Sequence, residues 1–212
     1  MARTRQLPKF IHQAKTLEYL YCLKSMQKWS QILIDQNNGK SYNEFLKWIL
    51  DQNYFKEQED KISIKKIAEL SGFSSSKISK WIRDIYDSIF ELSEQYPSLF
   101  YKSNEVHANL YFRYFDNHCG LKISLPVLPR IHEKFDFYFV NAKMGSSYFW
   151  VKDIYHSIEN DTSVVSLYLE GGVLNRYREF ALAKAEFERR ISYFDRINKL
   201  DSEIDEILLT LK

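Results

Sequence analysis

Several things are scarce in these 212 residues. There are only two cysteines, Cys22 and Cys119, far apart in the chain. Two thiols do not make a disulfide framework, so a small secreted scaffold is excluded and a reducing, cytoplasmic setting is expected. Six glycines and four prolines leave no room for a low-complexity or collagen-like tract. No segment approaches the roughly 18 uninterrupted apolar residues of a membrane span, and the basic start is followed by no apolar run, so neither a membrane anchor nor a secretory signal is expected. Net charge is also small, at +2. That value neither demands nor forbids a polyanionic partner.

What is abundant is apolar and aromatic. Hydrophobic residues make up 45% and aromatic residues 16% of the chain, enough to build a substantial core and to exclude general disorder. Charge is segmented. Residues 1–28 hold six basic groups against Glu18 alone, and residues 61–83 hold Lys61, Lys65, Lys66, Lys77, Lys80 and Arg83 against Glu69 alone. The last 18 residues reverse the sign, with five acids against three bases. A chain so divided is expected to carry one basic face.

Apolar spacing predicts one long helix from Phe10 to Leu33, stopped at Asn37-Asn38-Gly39. Ser41 and Glu44 have the spacing of a capping box for a second helix through Trp48 and Leu50. A polar stretch follows, with the paired acids Glu59-Asp60 solvated in it. A third helix is expected near Ser63, and a fourth from Ser74 to about Glu94, before Pro97. Beyond Pro97 the pattern changes to period two. "NLYFRYF", "GLKISLPVL" and "KFDFYFV" read as strands of an antiparallel meander turning at Asp116–Gly120. "SSYFWVKDIYHSIE" returns to helical spacing at Tyr148, Val151, Ile154, Tyr155 and Ile158, and "VVSLYLE" reads as one more strand. After the turn at Gly171-Gly172, one long helix over 173–212 is expected. The fold class is therefore α+β. Residues 1–98 form a helical domain, and 99–212 form a meander with helices and a long C-terminal helix.

The stretch Ile67–Ile82, "IAELSGFSSSKISKWI", has what two tightly joined helices need. Ala68 is small where a second helix would cross. Gly72 tolerates a left-handed turn, Phe73 plugs the corner and Ser74 can cap. Ile67 and Leu70 on the first helix, and Ile78, Trp81 and Ile82 on the second, face inward. Residues 64–83 resemble the helix-turn-helix of bacterial transcription regulators of the lactose-repressor and arabinose-regulator type, departing at Ser71 and Trp81. The resemblance covers about a tenth of the chain. It implies double-stranded DNA as partner, with Ser75, Ser76 and Lys80 at base edges and Ser74, Lys77 and Ser79 nearer phosphate. Arg83 shares the same acid-free outward face. Serines discriminate bases poorly, so DNA shape or a second element such as "MARTRQLPK" would add specificity. The same residues could instead make a helical corner bearing no nucleic acid.

No constellation builds an active site. His118 and Cys119 are neighbours on an expected strand and so point to opposite faces. His107, Asp116, His118 and His132 lack metal-ligand spacing, and Gly171-Gly172 lacks the rest of a phosphate loop. Neither catalysis nor a metal or cofactor is expected. The C-terminal stripe Ile197, Leu200, Ile204, Ile207 and Leu211 fits either a homodimer seam or a helix folded back on its own domain. The expected function is DNA binding as a transcription regulator. An accessory protein of a plasmid, phage or transposable element is the alternative with the same module, and a protein-interaction subunit is the alternative without DNA.

Overall fold

The computed structural model describes residues 11–36, 39–52, 63–159, 162–199 and 201–210. The arm "MARTRQLPK" lies outside them. Five helices come first: α1 (Thr16–Ser25), α2 (Gln27–Asp35), α3 (Asn43–Asp51), α4 (Ile64–Ser71) and α5 (Ser75–Gln95). Then follow β1 (Val106–Tyr114), β2 (Asn117–Leu125), β3 (Lys134–Asp136), a short α6 (Asn141–Met144), β4 (Tyr148–Glu159) and β5 (Thr162–Gly171). Three helices end the chain: α7 (Arg176–Phe187), α8 (Tyr193–Asn198) and α9 (Asp201–Thr210). The protein is thus a mixed α+β chain. Among the described residues, no helix is long and apolar enough to cross a membrane.

The first expected helix is two helices. Met26 leaves helical space at φ −133° and ψ 54°. Ser25 Oγ donates to Cys22 O at 2.7 Å, a local bond that competes with the backbone ladder. The break turns Trp29 inward, edge-on to Phe100 and Phe139. The capping box at Ser41 does not form: Tyr42 is the N-cap of α3 without a side-chain cap bond, and Ser41 Oγ accepts from Trp81 Nε1 at 3.2 Å.

The sheet order is β2-β1-β5-β4-β3, with β1 and β5 parallel and the other neighbours antiparallel, so the meander is a correction. Alternation in β1 identifies a strand with one buried face, but it cannot say which strand lies beside it. The β1–β2 turn is shorter than expected, at Phe115-Asp116, with Gly120 inside β2. Only Lys134–Asp136 of "KFDFYFV" is strand; Tyr138–Val140 coils into a 3-10 turn that drives Phe139 and Val140 into the core.

"SSYFWVKDIYHSIE" is β4, not a helix. A bulge between Val151 and Asp153 shifts the pairing with β5 by one residue. That slip converts a period-two pattern into an apparent three-to-four spacing. The aromatic and β-branched side chains then settle the matter in favour of extended chain.

One face of the sheet packs on the helices. Ala108, Leu110 and Phe112 of β1 and Val165, Leu167 and Leu169 of β5 join Ile78, Ile82, Ile85 and Ile89 of α5 in a single core. The edge of β2 is sealed by α5: the buried Ser93 accepts from Lys122 N at 2.9 Å. The other face presents Asn109, Tyr111 and Arg113 of β1 and leaves Tyr111 and Tyr168 exposed.

The chain divides into compact units at Gly172 rather than at residue 98, because the helical and sheet segments share that core. In the second unit the single helix expected over 173–212 is broken. Arg189 adopts φ 58°, Arg190 N donates back to Ala185 O at 2.8 Å, and Ser192 caps α8. These are the bonds of a left-handed helix stop. Leu182, Ala185, Ile191 and Ile204 make a small core, with Ile207 packed on it and Arg178 Nε 2.6 Å from Asp205 Oδ1. Ile204 and Ile207 are therefore consumed within the unit. Ile197 lies in α8, and Leu200 and Leu211 lie outside the described residues.

Candidate nucleic-acid interface

The helices α4 and α5 are joined by three residues. Ser63 caps α4, its Oγ accepting from Lys66 N at 3.2 Å. Gly72 ends it in left-handed space at φ 75° and ψ 1°, and a Cβ there would meet nothing within 4 Å. Glycine is required by the backbone angle, not by crowding. Ser71 Oγ accepts from Phe73 N, and Ser74 caps α5 by accepting from Lys77 N at 3.4 Å. Each step of the corner has a side-chain cause.

The underside is apolar. Ile67, Ile78 and Ile82 are fully buried, and Ala68 is half-buried against the same core. Phe73 is half-buried between Phe45 at 6.2 Å and Trp81 at 5.1 Å, both edge-on. Trp81 is half-buried too, and its bond to Ser41 ties α5 to the approach of α3. Leu70 departs from expectation: it is 55% exposed and does not line the core.

The outer side is polar and free of acids from Ser74 to Arg83, with Asp84 next in the chain. Ser74, Ser75, Ser76, Lys77, Lys80 and Arg83 are exposed, while Ser79 is half-buried at the flank. Among the described residues, Lys77 and Lys80 form no ion pair. Arg83 lies with its guanidinium carbon 5.7 Å from the centre of the Tyr19 ring, a cation–π seat that fixes its direction. The acids of α5 come later, and two are engaged: Asp87 by Lys143 at 2.6 Å and Glu94 by Lys122 at 2.7 Å. Lys77 thus sits in the first turn, at the positive end of the helix macrodipole and with no acid beside it there, an arrangement that an anion would relieve.

The sequence did not reveal two supports of this surface. Tyr19, which holds Arg83, and Ser41, which holds Trp81, are far away in the chain, and no local pattern connects them. The neighbours His118 and Cys119 point apart: His118 faces solvent while Cys119 packs toward the core. Burial pushes the thiols of Cys22 and Cys119 up to about 12, so both stay protonated near neutrality. Among the described residues, no three His, Cys, Asp or Glu side chains gather to hold a metal ion. Compared with known protein families, curated proteins and solved structures, the chain matches none.

Proposed function

We propose that the protein binds double-stranded DNA through the first three turns of α5, as a transcription regulator built on a helix-turn-helix. One observation carries the reading: the left-handed Gly72 and the Ser74 cap deliver an acid-free row of Ser75, Ser76, Lys77, Lys80 and Arg83 to the surface, over a buried apolar underside. A helix so presented fits the major groove with its N-terminal residues at base edges. Ser75, Ser76 and Lys80 then face bases, and Ser74, Lys77, Ser79 and Arg83 face the phosphates. Short serines read weakly, so affinity rests on backbone charge and on doubling of the site.

Doubling implies a homodimer with half-sites about 34 Å apart, or a multiple of that. Since Ile204 and Ile207 are used within the C-terminal unit, the pairing surface moves to the exposed aromatics of α7: Tyr177, Phe180 and Phe187. The reading is tested by anisotropy titration of random-sequence duplex DNA with wild type and a Lys77→Ala/Lys80→Ala variant, together with light scattering of wild type and a Phe180→Glu/Phe187→Glu variant. Salt-sensitive binding that weakens in the first variant supports it. Equal binding by both folded chains removes it.

A further inference from the structure

The open face of the sheet carries a second constellation, unrelated to α5. Pairing register places His107, Asn109, Tyr111 and Arg113 of β1 on that face, opposite Ser124, Lys122, Gly120 and His118 of β2. This half of the face has two cations, two histidines and no acid. Tyr111 stacks on Tyr168 of the neighbouring β5, ring centres 5.2 Å apart and planes within 19°. Both remain over two-fifths exposed, at 42% and 44%. His107 is stacked in the same way on Tyr101, at 4.0 Å and 10°.

Gly120 stands beside this pair. It lies in the middle of β2, directly opposite Tyr111, and is solvent-exposed. No left-handed angle requires glycine there, and an added Cβ would make only ordinary contacts, the nearest side-chain atom being Tyr111 Cδ1 at 3.8 Å. Glycine weakens a strand interior, and close approach by a ligand is one of the reasons a strand keeps it where neither backbone angle nor crowding demands it. One face of the Tyr111 ring is taken by Tyr168. The other faces β2, where Gly120 brings no side chain and leaves a slot beside the ring.

We propose that this slot holds an unpaired base of a single-stranded nucleic acid, stacked on Tyr111 above Gly120, with the strand running along the β1–β2 hairpin. Planar rings presented edge by edge with cations alongside are the chemistry of base-stacking platforms. Lys122 and Arg113 flank the slot on its two strands, Lys122 exchanging its exposed pairing with Glu94 for a phosphate, and Asn109 offers its carboxamide to a base edge. The neighbouring acids are engaged. Glu94 is held by Lys122, Glu170 lies 2.9 Å from Lys152, and Asp153 accepts from the backbone of Ile154 at 2.8 Å. A protein partner would want aliphatic area, which the outward residues of β1 and β2 do not provide. The proposal does not rest on the duplex reading of α5.

The test uses the full chain and a fluorescein-labelled oligothymidylate of roughly 16 nucleotides, within the range such surfaces span. Wild type should bind it, and unlabelled single-stranded deoxy- or ribo-oligonucleotide should compete, the better competitor naming the sugar. Gly120→Val fills the slot with a good strand former, so it should keep the melting temperature yet weaken binding roughly five- to a hundredfold, the stacking contribution of a base. Tyr111→Ala/Tyr168→Ala should weaken it similarly, and Tyr111→Phe/Tyr168→Phe should restore it. Lys77→Ala/Lys80→Ala should leave it unchanged, which separates this surface from α5. Wild type that does not bind the oligonucleotide at tens of micromolar overturns the proposal. So does a folded Gly120→Val chain that binds like wild type, or binding that is lost only with the α5 lysines.

Discussion

Replacing Lys77 and Lys80 together by alanine removes charge from the α5 surface and almost nothing else. Both side chains are exposed and, among the described residues, unpaired, while alanine is the better helix former. Each neutralised phosphate contributes about −0.9 to the slope of log affinity against log salt. At roughly 0.15 M monovalent salt that release amounts to about 1 kcal/mol per contact. Two contacts give about 2 kcal/mol, or roughly a thirtyfold loss of affinity. At roughly 0.05 M salt the loss grows to roughly two hundredfold, and the slope flattens by about 1.8. Anisotropy titrations of labelled random-sequence duplex across a salt series measure both quantities at once. Arg83 is left in place because it rests on Tyr19, and its removal would mix packing with charge. A variant that melts like wild type and keeps its affinity and slope would show that α5 does not meet phosphate.

Three further outcomes follow from the geometry. Gly72→Val should cost about 1–3 kcal/mol, entirely from a β-branched residue at φ 75° since the space is open, and a melting temperature equal to wild type would refute the strained turn. Trp81→Phe and Ser41→Ala should each cost about 0.5–1.5 kcal/mol, and the double variant little more than either, so a strictly additive double-mutant cycle would deny their bond. Stability should hold up to about pH 9 and fall above it. The thiols of Cys22 and Cys119 titrate near 9.0 when free and are pushed to about 12 by burial, so the unfolded chain releases protons that the folded chain retains. The slope reaches at most about 1.4 kcal/mol per pH unit for each thiol. Urea unfolding of wild type and of Cys22→Ala/Cys119→Ala across alkaline pH checks this, and an identical decline in both would assign the effect elsewhere.

Much of the local structure is legible because its causes are local. Ser63, Gly72 and Ser74 mark the ends of α4 and α5 through caps and a left-handed turn that act within three residues. Alternation in "GLKISL" gives β2 for the same reason. The losses occur where periodicity and propensity do not report the deciding event, whether local or distant. Ser25 breaks the first helix by a side-chain bond whose strength over the ladder no periodicity reports. The bulge at Val151/Asp153 disguises β4, since a one-residue slip erases the period-two signal that would have identified it. Arg189 stops the last helix in a conformation for which arginine is an uncommon choice, so no glycine announces the stop. As to the α5 surface, its outward row is readable from a 3.6-residue repeat. Tyr19 under Arg83, Ser41 under Trp81 and the partnership of Tyr111 with Tyr168 are not, because each depends on which elements become neighbours.

The parallel pairing of β1 with β5 also constrains how the molecule is made. Ala108 must wait for Val165, so the middle of the sheet closes only after nearly the whole first unit has been synthesised. At about 5–20 residues per second, that is a delay of several seconds during which β1 has β2 on one side and an open edge on the other. Through that interval the apolar row Ala108, Leu110 and Phe112 is covered only on its helical side, and the newborn chain is at its most adhesive. The helices that bear the α5 surface share this core, so they cannot complete their own packing early. The α5 surface and the strand that arrives last mature together, and a nascent chain halted before Thr162 would carry the α5 cations without a finished scaffold beneath them.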